Sequence, residues 1–225
     1  INSVTVGKGA NSVSSNTVLG VNALDASVTG ANNVAIGENS LTDLTSGAAN
    51  VCIGNSSGKE LTTGSNNTAV GVSSLFTQTT ASNNTAFGRS TLKFNTSGTE
   101  NVAVGGYALD ANTTASNNTA IGYNSLGATT TGSENTGVGS SALVNNTTGN
   151  NCTAIGRSSM VENTSGAFNT AVGADSLKNN TTASNNTAVG FSALLANTTG
   201  SGNVAVGYIA LDGTTTGGAN TAIGQ

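Results

Sequence analysis

Polar and apolar positions along this chain follow a unit that repeats every 17 residues. A glycine, here called the frame glycine, closes the most regular part of each unit, and an apolar residue always precedes it. A fixed period of this length indicates a solenoid, in which one small unit stacks on the next. The frame glycines are Gly20, Gly37, Gly54, Gly71, Gly88, Gly105, Gly122, Gly139, Gly156, Gly173, Gly190, Gly207 and Gly224.

The three residues before each frame glycine have the alternation of a short β-strand. The first is Thr or Val, and the third is Ile, Val, Leu or Phe. Such residues favour strands, whose alternate side chains point to opposite faces. We predict that the first and third side chains of each strand point into the coil, where they meet a column of leucines four residues after the glycine. This leucine column is Leu24, Leu41, Leu75, Leu92, Leu109, Leu126, Leu143, Met160, Leu177, Leu194 and Leu211, and Leu61 is expected to fill its gap at Gly58.

The middle position of each strand suggests an oligomer. From Ala35 onward this position is Ala, Cys or Gly and never a charged residue, whereas a solvated face would admit Lys or Glu. We therefore predict that it points out of the coil and lets another copy of the chain approach closely. The predicted interface residues are Ala69, Ala86, Ala103, Ala120, Ala154, Ala171, Ala188 and Ala205.

The remaining positions predict turns and hydrogen-bonded ladders. An asparagine opens each unit from Asn16 to Asn220, with Cys152 as the exception, and stacked asparagines can bond along a solenoid. Thr-Thr and Thr-Ser pairs predict the second turn or strand of each coil. We therefore expect an all-β fold, a β-solenoid of about 13 flattened two-strand coils. Each coil buries few apolar side chains, which favours an obligate oligomer.

Composition argues against several classes of function. Histidine and tryptophan are absent, charged residues make up 7% of the chain, and the net charge is −4. There is no His-based triad and no repeated carboxylate pair, so we predict no enzyme, no cofactor and no metal site. The chain has no basic stripe to suit a nucleic acid. It also has no apolar run long enough to cross a membrane.

Two further expectations concern the chain as a whole. Cys52 and Cys152 lie about six coils apart, which excludes a disulfide between them in a solenoid and favours two small buried thiols. Because the period is uninterrupted, residues 1–225 are expected to form one repeat domain. The chain starts at Ile1 and neither end has a recognisable cap, so we expect a segment of a longer fibre protein.

The units resemble the head repeat of trimeric autotransporter adhesins, the YadA-like head, with the pattern Asn-Ser-Val-Ala-Ile-Gly-x-x-Ser. Residues 33–37 with Ser40 and 118–122 with Ser125 match it, and the likeness covers essentially the whole chain. The resemblance implies a left-handed β-roll and a parallel homotrimer. The unit is longer than is typical of that family. Its Asn-Thr-Ala-Val-Gly and Asn-Thr-Thr-Gly segments also resemble fibres of tailed phages, notably cyanophages.

These resemblances imply a structural attachment protein. The expected function is the rigid trimeric shaft or head of a phage tail fibre, located on the virion and extracellular. Its partners would be two further copies of the chain, other tail proteins and a host cell-surface receptor such as a glycan or lipopolysaccharide. The alternatives are the head of a bacterial adhesin on the outer cell surface and, more remotely, an ice-binding solenoid with threonine columns.

The position after the frame glycine varies most along the chain, which indicates a surface. Aromatic and basic residues at or beside it would stack on sugar rings or fill an interface. The candidate receptor-binding or glycan-binding residues are Tyr107, Tyr123, Arg157, Phe191 and Tyr208. Asn-x-Thr triplets, as at Asn95 and Asn112, follow from the composition of the repeat and match the acceptor pattern for N-glycosylation.

Overall fold

The computed structural model describes residues 5–225, which form two compact units built from the same coil. The N-terminal unit ends at Ala115 and the C-terminal unit begins at Ser116. Over the described residues the fold is all-β and contains no helix; it is a β-solenoid of about 12 turns with a 17-residue period. The predicted fold class and period are confirmed, with about one turn fewer than expected. The single repeat domain, the left-handed sense and the homotrimer stay predictions.

Each coil contributes one short strand, and successive strands pair in parallel within each unit. The register joins equivalent positions, since Thr153 pairs with Thr170 and Ile155 with Val172. The exception is β1, which runs antiparallel to β2. The N-terminal unit holds β1 (Thr5–Gly7), β2 (Thr17–Gly20), β3 (Val34–Ile36), β4 (Val51–Ile53), β5 (Thr68–Val70), β6 (Thr85–Phe87) and β7 (Val102–Val104). The C-terminal unit holds β8 (Thr119–Ile121), β9 (Thr136–Val138), β10 (Thr153–Ile155), β11 (Thr170–Val172), β12 (Thr187–Val189), β13 (Val204–Val206) and β14 (Thr221–Ile223).

The frame glycine limits each strand because no other residue readily adopts its backbone conformation. At Gly71 and Gly122, φ is +137° and +131°, values that glycine reaches because it has no Cβ. A Cβ added at Gly71 would also lie 2.4 Å from the carbonyl oxygen of Gly88 in the next coil. The frame glycine therefore serves a close approach between backbones, and the neighbour is a coil of the same chain.

The rest of each coil is a series of turns, so the predicted two-strand coil is wrong. The Thr-Thr and Thr-Ser pairs, predicted as a second turn or strand, lie in bends outside the strands. Three positions per coil have left-handed backbone, and in one coil these are Asn124, Leu126 and Glu134, with φ of +55°, +53° and +61°. Such a conformation disfavours most non-glycine residues. Asparagine tolerates it best among them, which explains part of the asparagine content of the repeat.

Phe168 occupies one of these left-handed positions with φ of +56°, where most other coils have asparagine. We expect Phe168→Asn to raise the free energy of unfolding by about 1 kcal/mol, because the exposed ring makes no buried contact that offsets the backbone cost. The reverse change, Asn151→Phe at φ +56° in the preceding coil, is the control and should lower stability by a similar amount. Urea unfolding at 25 °C measures both, and equal stabilities for the two variants would contradict the explanation.

Burial shows that the strand faces are the reverse of the prediction. The residues flanking the middle position are partly exposed, as at Phe87 with 54%, and up to 80% at Ile223 in the last strand. The predicted interface residues are instead enclosed by their own chain and cannot be the surface at which copies meet. All eight are 0% exposed: Ala69, Ala86, Ala103, Ala120, Ala154, Ala171, Ala188 and Ala205. A large residue at Ala120 would therefore disrupt the coil itself rather than only assembly.

The narrow interior of the coil explains this reversal. The leucine column is buried as predicted from Leu24 through Leu194, and it packs directly on the small column. A Cβ added at Gly137 would lie 3.3 Å from Leu126 Cγ, and one added at Gly58 would lie 2.7 Å from Cys52 Sγ. The Cys52 side chain thus occupies the space beside Gly58. Leu61 is also buried, but it belongs to another interior column.

Two ladders of buried asparagines run through the interior. The first is the predicted one, in which each backbone N–H donates to the preceding side chain, as from Asn50 to Asn33 Oδ1 at 3.0 Å. Cys152 keeps this backbone bond, to Asn135 Oδ1 at 2.9 Å. The second ladder was not predicted. It comprises Asn95 and Asn112 in the N-terminal unit, and Asn146, Asn163, Asn180 and Asn197 in the C-terminal unit.

In coils that contain an asparagine of both ladders, the two side chains converge on a shared backbone carbonyl. Gly149 O accepts a hydrogen bond from Asn135 Nδ2 at 2.8 Å and one from Asn146 Nδ2 at 3.0 Å. Both lone pairs of the oxygen are thereby used, as burial of polar groups demands. Because Asn95 and Asn112 belong to the second ladder and are fully buried, their glycosylation triplets are closed in the folded chain.

Candidate functional site

The outward face of the strands is an uncharged surface in each unit. It consists of the first and third residues of the strands, here called the outer columns. From β2 to β14 these are only Thr, Val, Ile, Leu and Phe. Large members stay exposed in the single chain, among them Phe87 and Val102 in the N-terminal unit and Ile121 and Ile155 in the C-terminal unit. A regular apolar surface of this kind is typical of a site of association.

The position after the frame glycine is exposed, as the sequence variation predicts. Tyr123, Phe191 and Tyr208 of the C-terminal unit are 60%, 46% and 56% exposed. Phe191 and Tyr208 lie one coil apart, with ring centroids 5.5 Å apart and an interplanar angle of 15°. This stacked pair presents a small aromatic surface to solvent.

The two remaining candidates, Arg157 and Tyr107, each contact a charged side chain. Arg157 Nη2 lies 3.0 Å from Asp175 Oδ2, and Lys178 Nζ lies 3.0 Å from Asp175 Oδ1. Part of the Arg157 charge is therefore neutralised within its own chain. Tyr107 belongs to the N-terminal unit, where its hydroxyl accepts a hydrogen bond from Arg89 and its ring centroid lies 5.0 Å from the Arg89 guanidinium carbon.

Sequence reasoning missed two further contacts between a cation and a ring in the N-terminal unit. Lys59 Nζ lies 5.4 Å from the centroid of Phe76, and Lys93 Nζ lies 4.8 Å from that of Phe94. Lys59, Phe76 and Lys93 are separated by one period each, 17 residues. A spacing of one period places these residues on adjacent coils, and this spacing was the signal from which the contacts could have been identified.

The described residues offer no constellation for metal binding. Within residues 5–225 no three His, Cys, Asp or Glu side chains come together, and no pocket is found among the same residues. In that part of the chain, too, no helix is long and apolar enough to span a membrane.

The two cysteines are free and buried, as predicted. Burial raises the pKa of the Cys52 thiol from 9.0 to about 12, against a smaller opposing effect of its hydrogen bond with Ser57. Burial also raises the pKa of Cys152, against opposing hydrogen bonds with Asn169 and Phe168. Since the thiolate is the reactive form, both side chains act as packing groups in the folded chain.

The raised pKa of Cys52 gives a pH-dependent stability. Below pH 9 the thiol is protonated in both the folded and the unfolded chain, so its contribution to the free energy of unfolding is fully present. Above that pH the unfolded chain releases the proton first, because 9.0 is the ordinary value and the folded pKa is about 12. The free energy of unfolding should therefore fall by about 1.4 kcal/mol per pH unit from this group. Urea unfolding of wild type and Cys52→Ser between pH 8 and 11 measures this pH dependence. If the free energy of unfolding changed with pH in the same way in both proteins, the prediction would be contradicted.

Comparisons of the chain with protein-family models, with curated proteins and with solved structures give no match.

Proposed function

We propose that this chain is a structural attachment protein, a segment of the shaft or head of a homotrimeric phage tail fibre that adheres to the host cell surface. The observation that carries the proposal is the uncharged, partly exposed pair of outer columns, repeated strand after strand in each unit. Such a surface suits self-association, and a fibre is the product of association between long repetitive chains.

The outer columns now replace the buried alanines as the proposed interface between copies. Parallel copies would match coil against coil, because each has the same 17-residue period. Burying apolar surface contributes roughly 25 cal/mol per Å², so even a modest contact in each coil sums along the repeat. The number of copies, three, and the parallel arrangement come from the resemblance to the YadA-like head.

A charged residue in the outer columns should prevent assembly. We expect Val172→Lys with Val189→Lys to give a monomer, because each ammonium group would lose its hydration inside the interface. The matched control, Ser140→Lys with Ala174→Lys, adds the same charge after the frame glycines and should leave the mass unchanged. Light scattering after size exclusion measures both, and a double Val variant that keeps the wild-type mass would contradict this choice of interface.

Adhesion itself is tested with labelled protein and intact bacteria. The proposal expects saturable binding to at least one strain of a broad panel, including cyanobacteria, and competition by unlabelled protein. Binding no greater than that of an unrelated labelled protein across the panel would contradict the proposal. A bacterial adhesin head has the same fold and differs in flanking sequence, where a membrane-anchor domain would favour it over a tail fibre.

The ice-binding alternative has one structural feature in its favour. In β10 and β11 the outward residues are Thr and Ile or Val, which produces regular threonine and aliphatic columns. The first threonine of the Thr-Thr and Thr-Ser pairs does not add to it. Thr147 Oγ1 donates to Thr164 O at 3.0 Å, and Thr164 Oγ1 donates to Thr181 O at 3.1 Å. Thermal hysteresis would indicate ice binding, and the attachment proposal expects none.

A further inference from the structure

Three of the six basic side chains of this protein lie against aromatic rings on the turns of the N-terminal unit. We call Lys59, Phe76, Arg89, Lys93, Phe94 and Tyr107 the cation–aromatic surface. Its three contacts span 4.8 to 5.4 Å from cation to ring centroid, within the range of a cation–π interaction. All six residues follow a frame glycine by one to six positions, so they share the turn that leaves the sheet.

These cations remain available for an anion. In the described part of the chain, the ion pairs are those of Arg157 and Lys178 with Asp175, and Lys59, Arg89 and Lys93 form none. Glu60 and Asp110 are the acidic residues on the same turns. Burial raises the pKa of Asp110, and the charge of Lys93 opposes that effect. The turns thus carry one net positive charge in a chain whose net charge is −4.

The chemistry of this surface suits a sugar polymer that carries carboxylates. Aromatic rings present an apolar face to the C–H groups of a sugar, and Lys and Arg bind carboxylate oxygens. Successive coils lie about 4.8 Å apart, so the cations form a row that suits a repeating ligand. A nucleic acid is disfavoured, because three cations on an acidic protein give little counterion release.

We propose that the cation–aromatic surface binds an acidic polysaccharide of the host envelope. This inference rests on the proposed attachment function and names the ligand class. The C-terminal unit lacks an equivalent surface among its candidates, since Arg157 binds Asp175 and the rings of Phe191 and Tyr208 stack on each other.

Alginate, a carboxylated polysaccharide, is the probe, and uncharged dextran is its control. The test variant is Lys59→Gln with Arg89→Gln and Lys93→Gln. The matched control, Lys8→Gln with Lys178→Gln, removes positive charge elsewhere. Biolayer interferometry on the full chain at low salt should show alginate binding, at least about tenfold weaker for the triple variant. The matched control should stay within about twofold of wild type, and dextran should not bind.

Three results would overturn the inference: unchanged alginate affinity in the triple variant, an equal loss in the matched control, or tighter binding of single-stranded DNA than of alginate. Circular dichroism confirms folding. If the triple variant fails to fold, Lys59→Glu is used alone under the same criteria. If neither added alginate nor the triple substitution reduces adhesion to cells, this inference is wrong and the attachment function stands. Alginate binding without adhesion to any strain would remove the attachment function instead.

Discussion

Replacing Gly122 by alanine is expected to lower the free energy of unfolding by about 4 kcal/mol. Two costs add. The backbone at Gly122 has φ of +131°, and the new Cβ would lie 2.6 Å from both the carbonyl carbon and the oxygen of Gly139. Neither atom can move without separating the coils, because the same backbone segments carry the bonds from coil to coil.

Gly224→Ala is the matched control that separates the two costs. Gly224 has a similar φ of +124°, but a Cβ there would meet nothing within 4 Å. It should therefore lower stability by about 1–2 kcal/mol, the backbone cost alone. Guanidinium unfolding followed by circular dichroism measures both. Equal losses in the two variants would show that the close approach between coils adds nothing.

Asn163→Ala is expected to lower the free energy of unfolding by about 3 kcal/mol. Asn163 Nδ2 donates to Asn146 Oδ1 at 2.9 Å and to Gly166 O at 3.0 Å. Its own Oδ1 accepts from Asn180 Nδ2 at 2.8 Å. Removing the amide leaves fully buried partners without their bonds and opens a cavity in the narrow interior.

The control for this ladder residue is Asn179→Ala in the same coil region. Asn179 is exposed, so its side chain can exchange protein contacts for water, and its loss should change stability by less than about 0.5 kcal/mol. Urea unfolding at 25 °C compares the two variants with wild type. If Asn163→Ala were as stable as Asn179→Ala, the second ladder would contribute no net stability.

The regular features of the fold could be predicted because each depends on one column of the repeat. The leucine column and the first asparagine ladder both follow from residue types that recur at fixed spacing. Cys52 was correctly expected to be buried, because a free cysteine usually behaves as a small buried apolar group.

The direction of the strand faces could not be predicted from the column of small residues. Alanine at Ala120 is compatible with a tight contact between chains and equally with a narrow interior. The difference lies in the turn after the frame glycine, where Leu126 adopts φ of +53° and packs beneath position 137, and propensity gives no hint that a leucine would do so. With leucine there, only a small residue fits opposite, so the larger Thr and Ile side chains point outward.

Only part of the candidate site could be predicted, because contacts between neighbouring coils do not follow from a single column of the repeat. Exposure at Tyr123, Phe191 and Tyr208 follows from the variability of their column. The contacts of Arg89 with Tyr107 and of Lys93 with Phe94 depend on which coil lies beside which turn position. The second asparagine ladder was missed because Asn-Thr-Thr segments are also typical of exposed turns.

The central claim is that copies of this chain associate through the outer columns of their sheets. The most direct test is the mass of the purified protein in solution, measured by light scattering after size exclusion at micromolar concentration. We expect about three times the chain mass of 21.7 kDa. A stable species of 21.7 kDa that persists as the concentration rises would contradict it.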